Sequence, residues 1–392
     1  YLRHYSIGRI IGELKELRRR HPYIETFIFD DDLFTLNKDY CVAFAAAYAE
    51  ADLGVPYVLN AHVQSFNEKV ARALSESPCM IVKFGVESGS EALRRKVLER
   101  HMTNEAIAEA FDLCHRYGLH TSAFLMFGLP YETRSMMEET IDLMARIRPG
   151  RMRWAIFFPF PGTKSYTICK LGDLIDYRKM DAMENYFCAS CLKFDEGTDL
   201  FIRKLQRTFH WYVNARAGLP LSVEYARLVG EVEAMDLPAW LEASECLLAR
   251  DRELSNGYLA RVASGDAAAA AAQKHYSIRY TEVMAVDSDF VLAEKGEYKN
   301  LAARRWQAFR QQIAESRAAG AALRGDGTGD GTGGGTGAIL NSAVGSVDLP
   351  DLHILQSESP AGEWRSIPRD GSGLSVAGGR QMRINLPVRT KP

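Results

Sequence analysis

The chain has 392 residues, enough for two domains, and its 47% hydrophobic and 25% charged residues are typical of a globular protein. Lys and Arg number 48 against 50 for Asp and Glu, which gives no reason to expect nucleic acid or an anionic membrane surface as a partner. The longest apolar stretches, such as residues 41–49, are much shorter than the roughly 20 residues of a spanning helix. We therefore expect no transmembrane segment and a cytoplasmic protein.

Helix-period and strand-period segments alternate from Ser6 to Phe158, the pattern that predicts βα units around a parallel sheet. Helix-capping side chains precede the helical segments. The predicted strands are residues 24–29, 55–60, 80–86, 119–127 and 152–158, and the predicted caps are Ser6, Asn37, Asn67, Ser90, Thr103 and Thr133. Because the first element is a helix with no strand before it, we expect a further N-terminal segment.

Beyond about Gly162 the pattern becomes helical, which predicts a second, mainly helical domain. Helices are expected at 200–217, 223–235, 237–250 and 301–316, with a strand at 287–292. The predicted units are a barrel core at 1–165, a helical domain at 166–317 that covers the substrate, a flexible Gly-rich linker at 318–345 and a poorly ordered tail at 346–392.

Three adjacent acids, Asp30, Asp31 and Asp32, close the first predicted strand. Carboxylates in a strand-end loop can bind a hard cation or accept hydrogen bonds from an ammonium group. The alternative is a turn and capping cluster ahead of the helix that begins at Asn37.

The segment Gly-Val-Glu-Ser-Gly-Ser at residues 85–90 follows the third predicted strand. Its glycines allow a ligand to approach, and Glu87 and Ser88 could bind paired hydroxyls; the alternative is a strand-to-helix turn with a capping serine. His62, after the second strand, is either functional or an ordinary structural histidine.

Aromatic and proline residues stand at two further strand ends, in residues 127–130 and 157–163. Flat apolar walls suit an adenine ring, although such residues are more often simply core. Cys188 and Cys191 are the one close pair among seven cysteines, and without a second pair they indicate ordinary thiols rather than a metal or redox centre.

Four segments in this order resemble the core of radical S-adenosylmethionine (radical SAM) enzymes, and most closely its cobalamin-binding branch. They are Phe-Ile-Phe-Asp-Asp-Asp-Leu-Phe at 27–34, Gly-Val-Glu-Ser-Gly-Ser at 85–90, Phe-Gly-Leu-Pro at 127–130 and Phe-Pro-Phe-Pro-Gly-Thr at 158–163. The resemblance covers about the first 165 residues. It implies an α/β fold, a partial (βα)6 barrel with five of six strands present, a helical C-terminal domain and a disordered tail. The missing strand is the first of the family barrel, which carries the cysteine loop, and it is expected upstream of Tyr1.

The resemblance also implies cofactors. In the family a [4Fe-4S] cluster chelates S-adenosylmethionine and cleaves it to a 5′-deoxyadenosyl radical. By position, Asp30 to Asp32 would contact the methionine amino group and Glu87 and Ser88 the ribose hydroxyls. The expected cofactor contacts are completed by His62, by Phe127 and Gly128 at the adenine, and by Phe158 and Pro159, which close its pocket.

The cobalamin branch uses cobalamin for radical reactions such as methyl transfer, so cobalamin is an expected cofactor here. The resemblance further implies a small-molecule or lipid-like substrate and an electron donor such as flavodoxin or ferredoxin. Because the cluster cysteines are expected outside this sequence, the chain alone should be inactive. Two other interpretations remain open, namely a divalent-metal lyase or hydrolase with Asp30 to Asp32 and Glu87 as oxygen ligands, and a non-catalytic barrel scaffold.

Overall fold

A computed structural model describes residues 4–24, 26–31, 33–183, 189–218, 221–266 and 382–384. Its sheet has six parallel strands in the order β5-β4-β3-β2-β1-β6, and the first five form an open half-barrel. The strands are β1 (Phe27–Phe29), β2 (Tyr57–Ala61), β3 (Cys79–Glu87), β4 (His120–Phe127), β5 (Arg151–Ile156) and β6 (Met382–Ile384). The five predicted strands and their parallel arrangement are confirmed.

Helices connect the strands and continue after them. They are α1 (Ile7–Arg20), α2 (Lys38–Ala51), α3 (Glu68–Ser75), α4 (Glu91–Val97), α5 (Asn104–Arg116), α6 (Arg134–Ile147), α7 (Lys164–Leu171), α8 (Tyr177–Asp181), α9 (Glu196–Arg216), α10 (Ser222–Glu233) and α11 (Leu237–Ala263). A 3-10 turn spans Val63–Ser65. The predicted caps begin their helices, and the side chains of Asn37, Asn67, Thr103 and Thr133 accept a backbone N–H in the first turn.

The two faces of the sheet have different roles because side chains alternate along each strand. Phe29, Phe84 and Trp154 represent the outer face, which packs against the helices in one continuous hydrophobic core. On the concave face Ile28, Val58 and Ile81 form a separate small cluster. This apolar cluster closes the bottom of the half-barrel and leaves the carboxyl ends of the strands as the site of any ligand.

The chain after β5 first lies over these strand ends and then returns to the outer layer. Phe157, Cys169 and Ile175 belong to a second hydrophobic cluster, which also contains Leu93 of α4 and Leu129 after β4. Helix α9 instead joins the outer core. Helices α7 and α8 thus pack in the second cluster and α9 in the outer core, and the prediction that the helical segment covers the substrate stays a prediction.

Strand β6 was not predicted. It pairs in parallel with the outer edge of β1, with Phe27, Ile28 and Phe29 beside residues 382–384. The remainder of the predicted linker and tail, the predicted strand at 287–292 and the predicted helix at 301–316 lie outside the described residues. Within the described part of the chain, every helix is too short or too polar to cross a membrane.

Candidate functional site

The predicted site residues of three neighbouring strands meet at one edge of the sheet. Asp30 directly follows β1, His62 directly follows β2, and Glu87 is the last residue of β3. Parallel pairing of β1 with β2 and of β2 with β3 places these three ends side by side. Asp30 and His62 also continue the alternation of Ile28 and Val58, so both are on the concave face.

Glu87 is held at this edge by an irregular strand end. The β3–β4 register shifts between Gly85 and Glu87, and Glu87 itself has a left-handed φ of 69°. That conformation is unfavourable for a residue with a side chain, and such local strain is concentrated at functional sites. The Glu87 side chain is 14% exposed, and its Oε1 lies 3.1 Å from Nη2 of Arg100.

Gly85 makes the space for this ion pair. A Cβ at position 85 would lie 2.7 Å from Oε1 of Glu87 and 3.1 Å from Nη1 of Arg100. The same Arg100 nitrogen donates to the Gly85 carbonyl at 3.2 Å. Any larger residue at 85 would therefore push the carboxylate and the guanidinium out of position.

The electrostatics of the three groups are coupled. Burial raises the pKa of Glu87, and the Arg100 charge partly offsets this effect. Burial also lowers the pKa of His62, and Arg100 lowers it further. A largely buried carboxylate beside a guanidinium and a neutral imidazole can bind a vicinal diol, because the carboxylate accepts a hydrogen bond from each hydroxyl.

The loop after Glu87 is fixed by contacts inside the protein. The Ser88 side chain is fully buried, and its Oγ lies 3.4 Å from Oγ1 of Thr140 and accepts the Ser90 N–H at 3.2 Å. The Gly89 N–H donates to the same Thr140 hydroxyl at 2.7 Å. Ser88 was predicted to contact ribose, but the structure places its hydroxyl against α6, where it fixes the loop instead.

Arg94 of α4 fixes the same loop from its other side. Its side chain is fully buried, Nη1 donates to the Ser88 carbonyl, and Nη2 donates to the Met102 carbonyl at 2.9 Å and to Oδ1 of Asn104 at 2.8 Å. Sequence analysis missed this residue because an arginine in an amphipathic helix normally faces solvent. It missed Arg100 too, since Arg100 reaches Glu87 from the loop after α4.

The acidic stretch after β1 divides between two roles. Asp30 is 21% exposed, and its Oδ1 lies 3.4 Å from Nζ of the buried Lys83 on the concave face. Oδ1 of Asp31 accepts the Leu33 N–H at 2.9 Å. This contact agrees with the alternative interpretation of the stretch as a turn ahead of α2. Asp32 lies outside the described residues.

At the end of β4 the backbone rather than an aromatic ring reaches the site. The Phe127 ring is fully buried in the outer core, 4.8 Å from the Phe209 ring, so the predicted adenine contact is not made by this side chain. Gly128 has a φ of 75°, which favours glycine. Oε2 of Glu132 accepts the N–H groups of Gly128 and Leu129 at 2.7 and 3.0 Å. Burial raises the pKa of Glu132 to about 8.

Phe158 and Pro159 follow β5, and their predicted role in closing an adenine pocket stays a prediction. Phe158 is partly buried and packs against the second cluster, and its ring lies 4.9 Å from the exposed Phe160. Pro159 is buried. Together with Gly128 they border the strand ends next to Glu87.

The cysteines do not form a centre in the described residues. Cys191 is buried, and burial raises its pKa, which makes it an unreactive thiol; Cys188 lies outside the described part. No group of three or more His, Cys, Asp or Glu in the described ranges is arranged to hold a metal ion.

A parallel α/β half-barrel with its polar groups at the carboxyl ends of the strands defines the general class of the chain, and a family model matches its first part. Residues 1–144 match the model of the Radical SAM superfamily. This matched segment, which is similar to that superfamily, contains Asp30, His62, Glu87 and Arg100.

Two curated relatives each match less than half of the chain. It is 30% identical over 173 residues to the uncharacterized methyltransferase PH0819 of Pyrococcus horikoshii, covering 44% of this chain and 37% of the relative. It is 25% identical over 170 residues to the anaerobic magnesium-protoporphyrin IX monomethyl ester cyclase of Rubrivivax gelatinosus, covering 43% and 30%. The chain thus spans about a third of the length of these relatives.

Among solved structures, the cobalamin-dependent S-adenosylmethionine radical enzyme OxsB, with aqua-cobalamin and S-adenosylmethionine bound, is similar over 78% of this chain and 54% of that chain. The TM-score is 0.42 and the identity 11%, a likeness too low to carry an argument.

Proposed function

We propose that this chain binds S-adenosylmethionine at the strand-end site and belongs to an enzyme that uses it for radical chemistry, such as methyl transfer. The observation that carries the proposal is the position of Glu87. In a segment that matches the radical SAM family, a largely buried carboxylate faces the concave side next to Arg100, above a glycine that keeps the space clear.

The ribose, the ammonium group and the adenine of S-adenosylmethionine would each have a partner at the strand-end site. Glu87 would accept the two ribose hydroxyls, and Arg100 would hold the carboxylate oriented. Asp30 and its neighbours would accept from the methionine ammonium group, since charge-assisted hydrogen bonds of this type are the strongest available at such an edge. Gly128, Phe158 and Pro159 would border the adenine. S-adenosylmethionine, when bound, would be the source of the 5′-deoxyadenosyl radical that the family uses.

The [4Fe-4S] cluster that the family implies does not fit the described residues. Five of the six described cysteines are buried in the core, the sixth is Cys246, and no three potential ligands come together there. Cobalamin belongs to the proposal through the four motifs of its branch, and the described residues offer no specific contact that tests it.

The first test is the affinity for the nucleoside part of the cofactor. S-adenosylhomocysteine, titrated into the purified chain by calorimetry, should bind. Glu87→Gln should weaken this binding tenfold or more, because the carboxylate that accepts from both ribose hydroxyls is lost. A tenfold loss of affinity corresponds to about 1.4 kcal/mol. Glu68→Gln is the matched control, since Glu68 lies on the outer surface, where Oε1 accepts from Arg72 and Tyr117.

Equal affinities of the wild type and Glu87→Gln would remove Glu87 from the site. Absence of binding to the folded wild-type chain would refute the proposal as a whole. A loss of affinity that Glu68→Gln shares would show a general effect of removing a carboxylate and would also count against the assignment.

A further inference from the structure

A row of polar side chains crosses the concave face just below the strand-end site. Asn60, Lys83 and Ser122 are direct neighbours in the registers of β2, β3 and β4. Asp30 extends the row past the end of β1 through its contact with Lys83. Each of the four residues lies two positions after a residue of the row beneath. On β1 to β3 that lower row is the buried apolar cluster of Ile28, Val58 and Ile81.

Two atoms in this row are buried without a hydrogen-bond partner among the described residues, namely Oδ1 of Asn60 and Oγ of Ser122. The Ser122 side chain is fully buried, and both residues adjacent to it in β4, Thr121 and Ala123, face the opposite side. Leaving a buried polar atom unsatisfied costs about 1–3 kcal/mol. Apolar residues would fill these positions without that cost. The unsatisfied atoms therefore point to a ligand that forms the missing hydrogen bonds.

Two cations lie near one aromatic ring on this face. Lys83 is 4% exposed on its side chain, and its Nζ lies 5.8 Å from the centroid of the Phe124 ring. Cζ of Arg153 lies 5.7 Å from the same ring. Arg153 and Phe124 are neighbours in the β4–β5 register, one step closer to the strand ends than Ser122. Two cations thus flank one aromatic ring, and Asp30 is paired with the first of them.

We propose that Lys83, Ser122 and Asn60, with Phe124 as a side wall and Arg153 beside it, form a subsite for a carboxylate group of the substrate. The ammonium group of Lys83 and the hydroxyl of Ser122 donate to the carboxylate oxygens. Oδ1 of Asn60 accepts from a hydroxyl or amino group next to that carboxylate. The subsite deepens the proposed function and rests on it, because a substrate held there lies directly below S-adenosylmethionine bound at Glu87.

The probe for this subsite is benzoate, which combines a carboxylate with a ring that can lie on Phe124. Its affinity for the full chain is measured by ligand-observed NMR titration and compared with that of benzamide, its neutral isostere. Benzoate should bind about tenfold or more tightly than benzamide. Lys83→Met and Ser122→Ala should each remove this preference, and Ser122→Ala keeps the experiment interpretable if Lys83→Met fails to fold.

Lys69→Met is the matched control, because Lys69 is 60% exposed on the outer surface, where it pairs with Asp39 at 2.7 Å. It should leave the preference unchanged. Equal affinities for benzoate and benzamide, or a preference that persists in Ser122→Ala and Lys83→Met, would overturn the subsite.

The two proposals fail separately. Ser122→Ala should bind S-adenosylhomocysteine as the wild type does, whereas Glu87→Gln should lose that affinity and keep the preference for benzoate. A wild-type chain that selects benzoate but does not bind S-adenosylhomocysteine would refute the proposed function and leave the carboxylate subsite standing.

Discussion

Gly89 is the position where a single added methyl group tests most sharply how the Glu87 loop is built. A Cβ at residue 89 would lie 2.4 Å from the carbonyl oxygen of Glu139 and 2.4 Å from Cα of Thr140. Both atoms belong to the backbone of α6, so they cannot move aside as a flexible side chain would. The loop itself must therefore move away from α6 in Gly89→Ala.

The cost of that movement can be worked out from its parts. Overpacking a tight contact costs about 1–3 kcal/mol. Displacement also weakens the 2.7 Å hydrogen bond from the Gly89 N–H to Thr140, worth about 1 kcal/mol. We expect Gly89→Ala to lower the free energy of unfolding by about 2–4 kcal/mol and, because Glu87 is two residues away, to weaken S-adenosylhomocysteine binding about tenfold.

Urea denaturation and calorimetric titration measure the two effects on the same protein. Gly12→Ala is the control, since an added Cβ in the middle of α1 meets no atom within 4 Å. That substitution should leave binding unchanged and hold or slightly raise stability, because alanine is favoured over glycine inside a helix. Wild-type stability and wild-type affinity in Gly89→Ala would refute the reasoning about the loop.

Two further substitutions test buried polar groups near the site. Arg94→Met removes three donors from a fully buried position and leaves the carbonyls of Ser88 and Met102 without them, so urea denaturation should show a loss of about 3 kcal/mol; a loss below about 1 kcal/mol would contradict the anchoring role. For Glu132 the folded pKa of about 8 lies above its ordinary value of 4.5, so the folded state binds more protons between these values and the free energy of unfolding should fall as pH rises from about 5 to 8. Glu132→Gln should flatten that slope in denaturation curves at pH 5.5, 7 and 8.5, and an unchanged slope would show that another group titrates.

The sheet was predictable because its signals are local. Short apolar runs between capping residues located all five strands of the half-barrel, and caps such as Asn67 and Thr103 begin their helices as predicted. Boundaries moved by one to three residues, most at β1, where only Phe27–Phe29 of the predicted residues 24–29 pair with a neighbour. Strand β6 carries no comparable sequence signal, because it is three residues long and pairs with a strand more than 350 residues away.

The site was predictable only in part because its geometry depends on contacts distant in sequence. Motif position placed Asp30, His62 and Glu87 at strand ends, and the parallel topology brings these ends together. The sequence of β4 could not show which face of the sheet carries the Phe127 ring, because β4 is largely buried on both faces. Ser88 turns inward because Thr140, 52 residues later, offers a hydroxyl.

The most direct measurement is a crystal structure of the chain with S-adenosylhomocysteine bound. The account predicts that both ribose hydroxyls lie within hydrogen-bond distance of the Glu87 carboxylate, with the ligand on the concave face and Arg100 still paired to Glu87. A ligand on the outer face, or one seated at the strand ends with its ribose turned away from Glu87, would contradict it.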